Sequence, residues 1–236
     1  MKNSVLGWVW YLALPLILLA IYTFAFKVLF GRQNINGIHP AVFIFTGQTL
    51  VGFVYQAMRT GANLFRNHSA FLLDHGFPRA MLPLAATLEC LMTGMARVLM
   101  LILVALVLGV PFRSTSPLAL VAIVPLAIWM AAAVMVCAVF GGYFTTDFNQ
   151  VLNFVAVMLI FGSPVFYSVE RIPAGLRPWL LLNPLATIIT HVRGALFKGG
   201  PSDAAGLLWV TLAGLAALAI GYLLYVRHEA PIIEQL

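Results

Sequence analysis

From Asn3 to Phe26 the chain carries no Asp, Glu, Lys or Arg. As a helix rising ~1.5 Å per residue, such a run reaches across a ~30 Å hydrocarbon layer. A second charge-free run lies between Arg32 and Arg59, and further apolar runs follow at intervals to the C-terminal region. The pattern predicts membrane spans at about 5–26, 41–58, 81–109, 118–140, 151–166 and 204–226, the fifth only just long enough to cross. Helices are the expected form, because lipid offers backbone N–H and C=O groups no other partner, and the alternation of a barrel is absent. Composition supports this: 62% of residues are hydrophobic and 8% charged, against ~25% charged in soluble domains. Thirteen basic and seven acidic residues cannot coat a water-facing globule, so a soluble enzyme and a disordered chain are both excluded. The first run is too long for the apolar core of a signal peptide and lacks a small-residue cleavage site, so it is read as a retained span. The net charge of +6 is scattered between the apolar runs, which fits membrane flanks better than nucleic acid.

The stretch from Tyr167 to Pro201 does not fit a plain loop. It holds Pro173, Pro178, Pro184 and Pro201, with short apolar pieces at Trp179–Leu182 and Leu185–Ile189. Those pieces cannot cross a bilayer, and helices that dip in and return suit them, a geometry tolerated only against protein or a wet cavity; an ordinary extramembrane loop is the plainer reading. Six spans place both termini on one side. Cytoplasmic termini would put five basic residues inside (Lys2, Arg59, Arg66, Arg79, Arg227) and seven outside (Lys27, Arg32, Arg113, Arg171, Arg177, Arg193, Lys198), so charge asymmetry does not favour that orientation. Ala213, Ala217 and Gly221 recur every four residues, a spacing that lets another helix approach.

The chemistry of a catalyst is missing. No G-x-x-x-x-G-K-[ST] loop cradles phosphate, no H-E-x-x-H or Cys/His cluster suggests zinc, and no G-x-S-x-G elbow presents a nucleophile. Cys90 and Cys137 lie inside apolar runs and read as small core residues, and His68 and His75, seven apart, read as a wetted helix face. No cofactor or metal is expected. Within the spans the charged residues are Glu89 and Arg97 in the third, and Arg97, ~22 Å along a helix starting near Leu82, needs protein or water around it. Eight residues apart, the two are not expected to pair within one helix. Span one carries Trp8, Trp10, Tyr11, Tyr22 and Phe26, which suit either stacking against a ligand or the aromatic belt of a membrane interface.

Four ordered motifs carry a resemblance. They are Ser4-Val5-Leu6-Gly7-Trp8-Val9-Trp10 with Pro15 and Tyr22-Thr23-Phe24; Phe77-Pro78-Arg79-Ala80-Met81-Leu82-Pro83; Ser163-Pro164-Val165-Phe166-Tyr167-Ser168 with Ile172-Pro173; and Leu182-Asn183-Pro184-Leu185 with Arg193 nine residues after Pro184. In this order the chain resembles the membrane subunit of ABC-2 type polysaccharide exporters, which export O-antigen, capsule or teichoic acid. The resemblance implies an all-α integral membrane protein of the bacterial inner membrane with the ABC-2 (type V exporter-like) fold: a single domain over 1–236, six transmembrane helices, a cytoplasmic coupling helix between spans two and three, and re-entrant gate helices between spans five and six. It implies a homodimer forming the pore, two copies of a separate ATPase subunit, and a lipid-linked glycan as substrate, with no nucleic acid.

On this resemblance the segment Asn63–Gly76 would dock the ATPase through Arg66, His68, Ser69, Asp74 and His75, with Leu64, Phe65, Phe71, Leu72 and Leu73 as anchors. The substrate path would include Trp10, Tyr11, Tyr22 and Arg97, and the outer gate Tyr167, Asn183 and Arg193, the last two facing the exit. Two departures stand out. The family usually opens with some 25 further residues forming a basic surface helix, so a start cut short is expected, and the loop between spans four and five keeps only the acid Asp147 of its usual charges. Three other readings remain open: an ABC-2 exporter of a small molecule or drug, an ion- or proton-coupled carrier, and a membrane scaffold. A carrier would need several buried acids, and Glu89 alone qualifies within a span.

Overall fold

The computed structural model describes residues 7–25, 31, 34–68, 80–199 and 204–234, with the backbone alone at 7–12, 14, 15, 18 and 145. The described residues are helical almost throughout, and their pairing of extended backbone is limited to an isolated bridge between Ile35 and Ile38. In chain order the helices are α1 (Gly7–Phe24), α2 (Pro40–Ala62), α3 (Leu64–Asn67), α4 (Met81–Val107), α5 (Ile123–Gly162), α6 (Arg177–Leu181), α7 (Pro184–Arg193) and α8 (Ala204–Ile233). A 3₁₀ turn at Ser116–Ala122 leads into α5, a second lies at Val169–Arg171, and a π-helical turn at Gly194–Lys198 follows α7. Among the described residues four helices are long and apolar enough to cross a membrane: Pro40–Ala62, Met81–Val107, Ser116–Phe144 and Ala204–Ile233, with a shorter apolar helix at Thr146–Gly162.

Local chemistry sets the helix starts. Before α2, Asn36 and Gly37 take positive φ (52° and 77°) to turn the chain, and the imidazole of His39 accepts the Ala41 N–H at 3.3 Å. Pro40 then occupies the first helical position, where its missing N–H costs nothing. The same device opens α7, with Asn183 capping the Leu185 N–H at 3.0 Å ahead of Pro184.

Helix α2 is the central element. It is 67% buried across its span, against 22% for α8 at the periphery. Close approach depends on glycine: a Cβ on Gly61 would stand 2.5 Å from the Val134 carbonyl oxygen, and one on Gly141 would collide with the Ala62 backbone. On the far side of α5, α8 packs through a small-residue stripe. Gly214 receives the Trp129 indole, whose N–H donates to the Val210 carbonyl at 3.0 Å, and Gly221 meets Ala132. Of the small residues expected to admit a neighbour, Gly221 does so, and Ala217 lines a cavity.

The expected loop between the fourth and fifth spans is absent. Helical structure continues through Tyr143 and Thr146, interrupted only at Phe144 (φ −130°, ψ 44°). Before the break, Trp129, Ala132 and Gly142 meet Val210, Gly221 and Ile232 in turn, so this half of α5 runs parallel to α8. Beyond it, Asn149, Asn153 and Val165 meet Asn63, Tyr55 and Gly47, so the second half runs antiparallel to α2. Helix α4 is also antiparallel to α2, with Cys90, Thr93 and Arg97 beside Thr60, Gln56 and Gly52. The fifth helix ends at Gly162, four residues before the expected boundary, and α8 continues to Ile233 with Pro231 in its last turn.

Candidate functional site

The segment 163–199 folds back on the first turns of α2 and is fastened there by Arg193. Arg193 is 4% exposed, and its guanidinium carbon lies 3.5 Å from the centre of the Phe43 ring. It donates to the carbonyl of Phe43 at 2.6 Å, to that of Val165 at 3.1 Å and to that of Pro164. A side chain on Gly47 would occupy its place, since a Cβ there would sit 2.7 Å from the guanidinium. Arg193 therefore does not face an exit, as the sequence suggested. It is a cross-brace inside the protein, joining residues 150 positions apart in the chain. Asn183 is spent in a similar way: besides capping α7 it donates to the Gly162 carbonyl at 2.9 Å and to Ser163 at 3.1 Å. The Tyr167 hydroxyl donates to the Phe161 carbonyl at 3.0 Å.

A polar cluster outside this brace closes the same segment. The Lys198 ammonium lies 2.8 Å from Glu170, Asn36 donates to the other carboxylate oxygen at 2.7 Å, and Ser168 bonds both Asn36 and Glu170. Partial burial works against the Glu170 charge, but the hydrogen bonds from Lys198 and Ser168 outweigh it and hold the carboxyl at about 2, below its ordinary range. Arg177 ties the loop further, donating to the carbonyls of Ile172 at 2.8 Å and Glu170 at 2.7 Å. Sequence reasoning missed Glu170, Lys198 and Asn36 as a group. The available signal was that Glu170 is the sole acid between Asp147 and Asp203.

At the opposite end of α2, Arg66 is exposed and donates to Asn63 at 3.2 Å, and the His68 ring stands 3.1 Å from the Leu64 carbonyl. Ser69, Asp74 and His75 lie outside the described residues. Leu64 and Phe65, expected as anchors for a partner, are fully buried in this chain's own core, with Phe65 stacked on Tyr225 at 5.6 Å. They are unavailable for docking because α3 turns inward directly after α2. Trp10 and Tyr11 fall on α1, where the backbone alone is described; Tyr22 meets Phe166 edge-on at 4.9 Å. Arg97 is half-buried beside Gly52 of α2, and Glu89 is exposed on α4. Between α2, both halves of α5, α7 and α8 lies an apolar cavity of about 350 Å³, bordered by Met58, Trp129, Leu159 and Ile188. Among the described residues no group of His, Cys, Asp and Glu is arranged to hold a metal.

Long apolar helices gathered around a buried central one define a membrane-embedded helical protein. The chain belongs to the ABC-2 type transporter family, whose profile matches residues 1–197. It is a multi-pass membrane protein of the class that works with an ATP-binding partner. It is 26% identical over 206 residues to the O-antigen export system permease protein RfbA of Klebsiella pneumoniae, covering 84% of this chain and 75% of that protein.

Proposed function

We propose that this chain is the permease subunit of an ATP-binding cassette exporter that moves a lipid-linked polysaccharide across the bacterial inner membrane. It acts as a homodimer driven by two copies of a separate ATPase. The likeness to an O-antigen export permease over most of both chains carries this reading. The domain is single over 1–236 and crosses the membrane six times, a count supported by the alternating directions of α2, α4, the two halves of α5 and α8. The segment 164–201 is the outer gate, re-entrant in character, with Tyr167, Asn183 and Arg193 holding its shape from within. The segment 63–76 is the ATPase contact, through Arg66, His68, Ser69, Asp74 and His75. Tyr22, Trp10, Tyr11 and Arg97 belong to the substrate path.

The test is deletion and complementation in the native host, with the permease purified beside its ATPase partner. Loss of surface glycan with internal accumulation of the lipid-linked form, restored by the wild-type gene, is the expected result. The purified chain alone should hydrolyse no ATP. Normal surface glycan in the deletion strain, accompanied by failed efflux of a small molecule, would refute the reading.

A further inference from the structure

The central helix α2 has an unusual division of its surface. Most of its residues are buried, including Val42, Phe43, Ile44, Phe45, Val51 and Phe53. Apart from Met58, which faces the apolar cavity, those left unburied are Gln48, Gly52, Tyr55, Gln56, Arg59 and Thr60. Residues 48, 52, 55, 56 and 59 follow the three- and four-residue spacing of one helix face. This face runs ~16 Å along the axis at ~1.5 Å per residue. A helix that turned this side to lipid would be expected to present apolar residues on it, because hydrocarbon returns nothing to an amide or a guanidinium.

Neighbouring helices extend the same chemistry. Gln56 donates to Thr93 at 2.6 Å, and Thr93 stands near the middle of α4, ~18 Å from Met81. Glu89, Thr93 and Arg97 recur every four residues along that edge of α4. From the other side, Tyr55 donates to Asn153 at 3.0 Å, Asn63 to Asn149 at 3.3 Å, and the Arg59 guanidinium lies 5.9 Å from the Tyr55 ring. Apolar side chains dominate the remaining exposed surface of α4, with Met92, Leu99 and Leu103 more than half exposed. The polar groups are therefore confined to one strip.

We propose that the open face of α2, with Thr93 of α4 and Asn153 of α5, is a hydrated binding strip for sugar hydroxyls at membrane depth. Uncharged amides and hydroxyls can both donate to and accept from a polyol, and the Tyr55 ring offers an apolar plane to a sugar face. Gln48, Tyr55, Gln56 and Asn153 thereby join the passage as recognition residues. The choice of a glycan as occupant rests on the function proposed above; the hydration of the strip does not.

The experiment uses the intact complex of permease and ATPase, with Cys90 and Cys137 replaced by alanine and export retained. Single cysteines at Gln48, Tyr55, Gln56 and Asn153 are exposed to a membrane-impermeant cationic methanethiosulfonate in inverted vesicles. Cysteines at Met92 and Leu99 serve as lipid-facing controls. The strip positions should react at least tenfold faster than the controls; equal rates would overturn the proposal. So would slow labelling with ready disulfide cross-linking between two copies at position 56, which would make the strip a subunit interface. In a second arm, Gln56→Leu and Asn153→Leu should lower surface glycan at least tenfold in an intact complex, and Gln56→Asn should retain most of it. Wild-type glycan display by both leucine variants would reject recognition. A wild-type complex that exports no glycan would refute the function and remove the sugar occupant, while the labelling rates would still decide hydration.

Discussion

Replacing Arg193 with methionine tests the brace. Met fills much of the same volume but donates nothing, so the carbonyls of Phe43, Pro164 and Val165 lose an ionised donor together. Hydrogen bonds to charged groups contribute roughly 1.5–3 kcal/mol each. The desolvation that a buried guanidinium suffers, and Met does not, offsets part of the sum. A net loss of roughly 3–5 kcal/mol is expected. Arg193→Lys should fall nearly as far, because one ammonium cannot serve three carbonyls in a planar fork. Thermal unfolding of the purified complex, followed by loss of the monodisperse peak, should show Tm lower by roughly 6–20 °C, at ~2–4 °C per kcal/mol for a chain of this size. Gly47→Ala should destabilise by a smaller amount, and its effect should shrink in the Arg193→Met background, since the two residues compete for one space. A Tm unchanged in Arg193→Met would refute the brace, and additive losses in the double variant would refute the shared space.

Three further outcomes follow from described contacts. Gly141→Ala forces a methyl into the Ala62 backbone and should cost about 1–3 kcal/mol or more, whereas Gly162→Ala, with open space around it, should stay within about 0.5 kcal/mol; paired Tm measurements decide. Asn183→Ala loses the cap of α7 and should cost about 0.5–2 kcal/mol, with Asn183→Asp recovering the cap but not the donation to Gly162; their Tm order checks this. The folded Glu170 carboxyl titrates at about 2, below its unfolded value, so its contribution is present above about pH 4.5 and fades as pH falls toward 2. Glu170→Gln should flatten that part of the stability profile and cost at most about 1 kcal/mol at pH 7, because the pair is largely solvated; an unchanged acid profile would refute the assignment.

The long helices were legible because charge is so costly in hydrocarbon that a run of some twenty residues without it marks a span. The turn at Phe144 was misread because Tyr143-Phe144-Thr145-Thr146-Asp147 contains the letters of a loop, yet Thr and Asp are tolerated where a helix ends and restarts in place. Arg193 was identified as important, but its direction was not legible: its partners come from Phe43 and from Val165, which only tertiary folding brings together. Phe65 looked like a docking anchor since nothing local reveals that Tyr225 arrives to stack on it. The polar face of α2 was within reach. Gln48, Tyr55, Gln56 and Arg59 already stood at helical spacing, but a stretch read for mean hydropathy conceals which side its polar residues occupy.

The reversal at Phe144 also bears on biosynthesis and on engineering. The helix before the break and the helix after it share a junction of a single non-helical residue, with no slack between them. A nascent chain emerging from the ribosome cannot commit the first of these helices to the bilayer and leave the second waiting at a distance. The pair should partition as one hairpin, and Thr146–Gly162, short for a solitary anchor, should gain its insertion from the longer partner ahead of it. For the same reason an epitope tag, a protease site or a split-protein cut placed between residues 141 and 148 should disrupt assembly, although the local sequence reads like an accommodating loop.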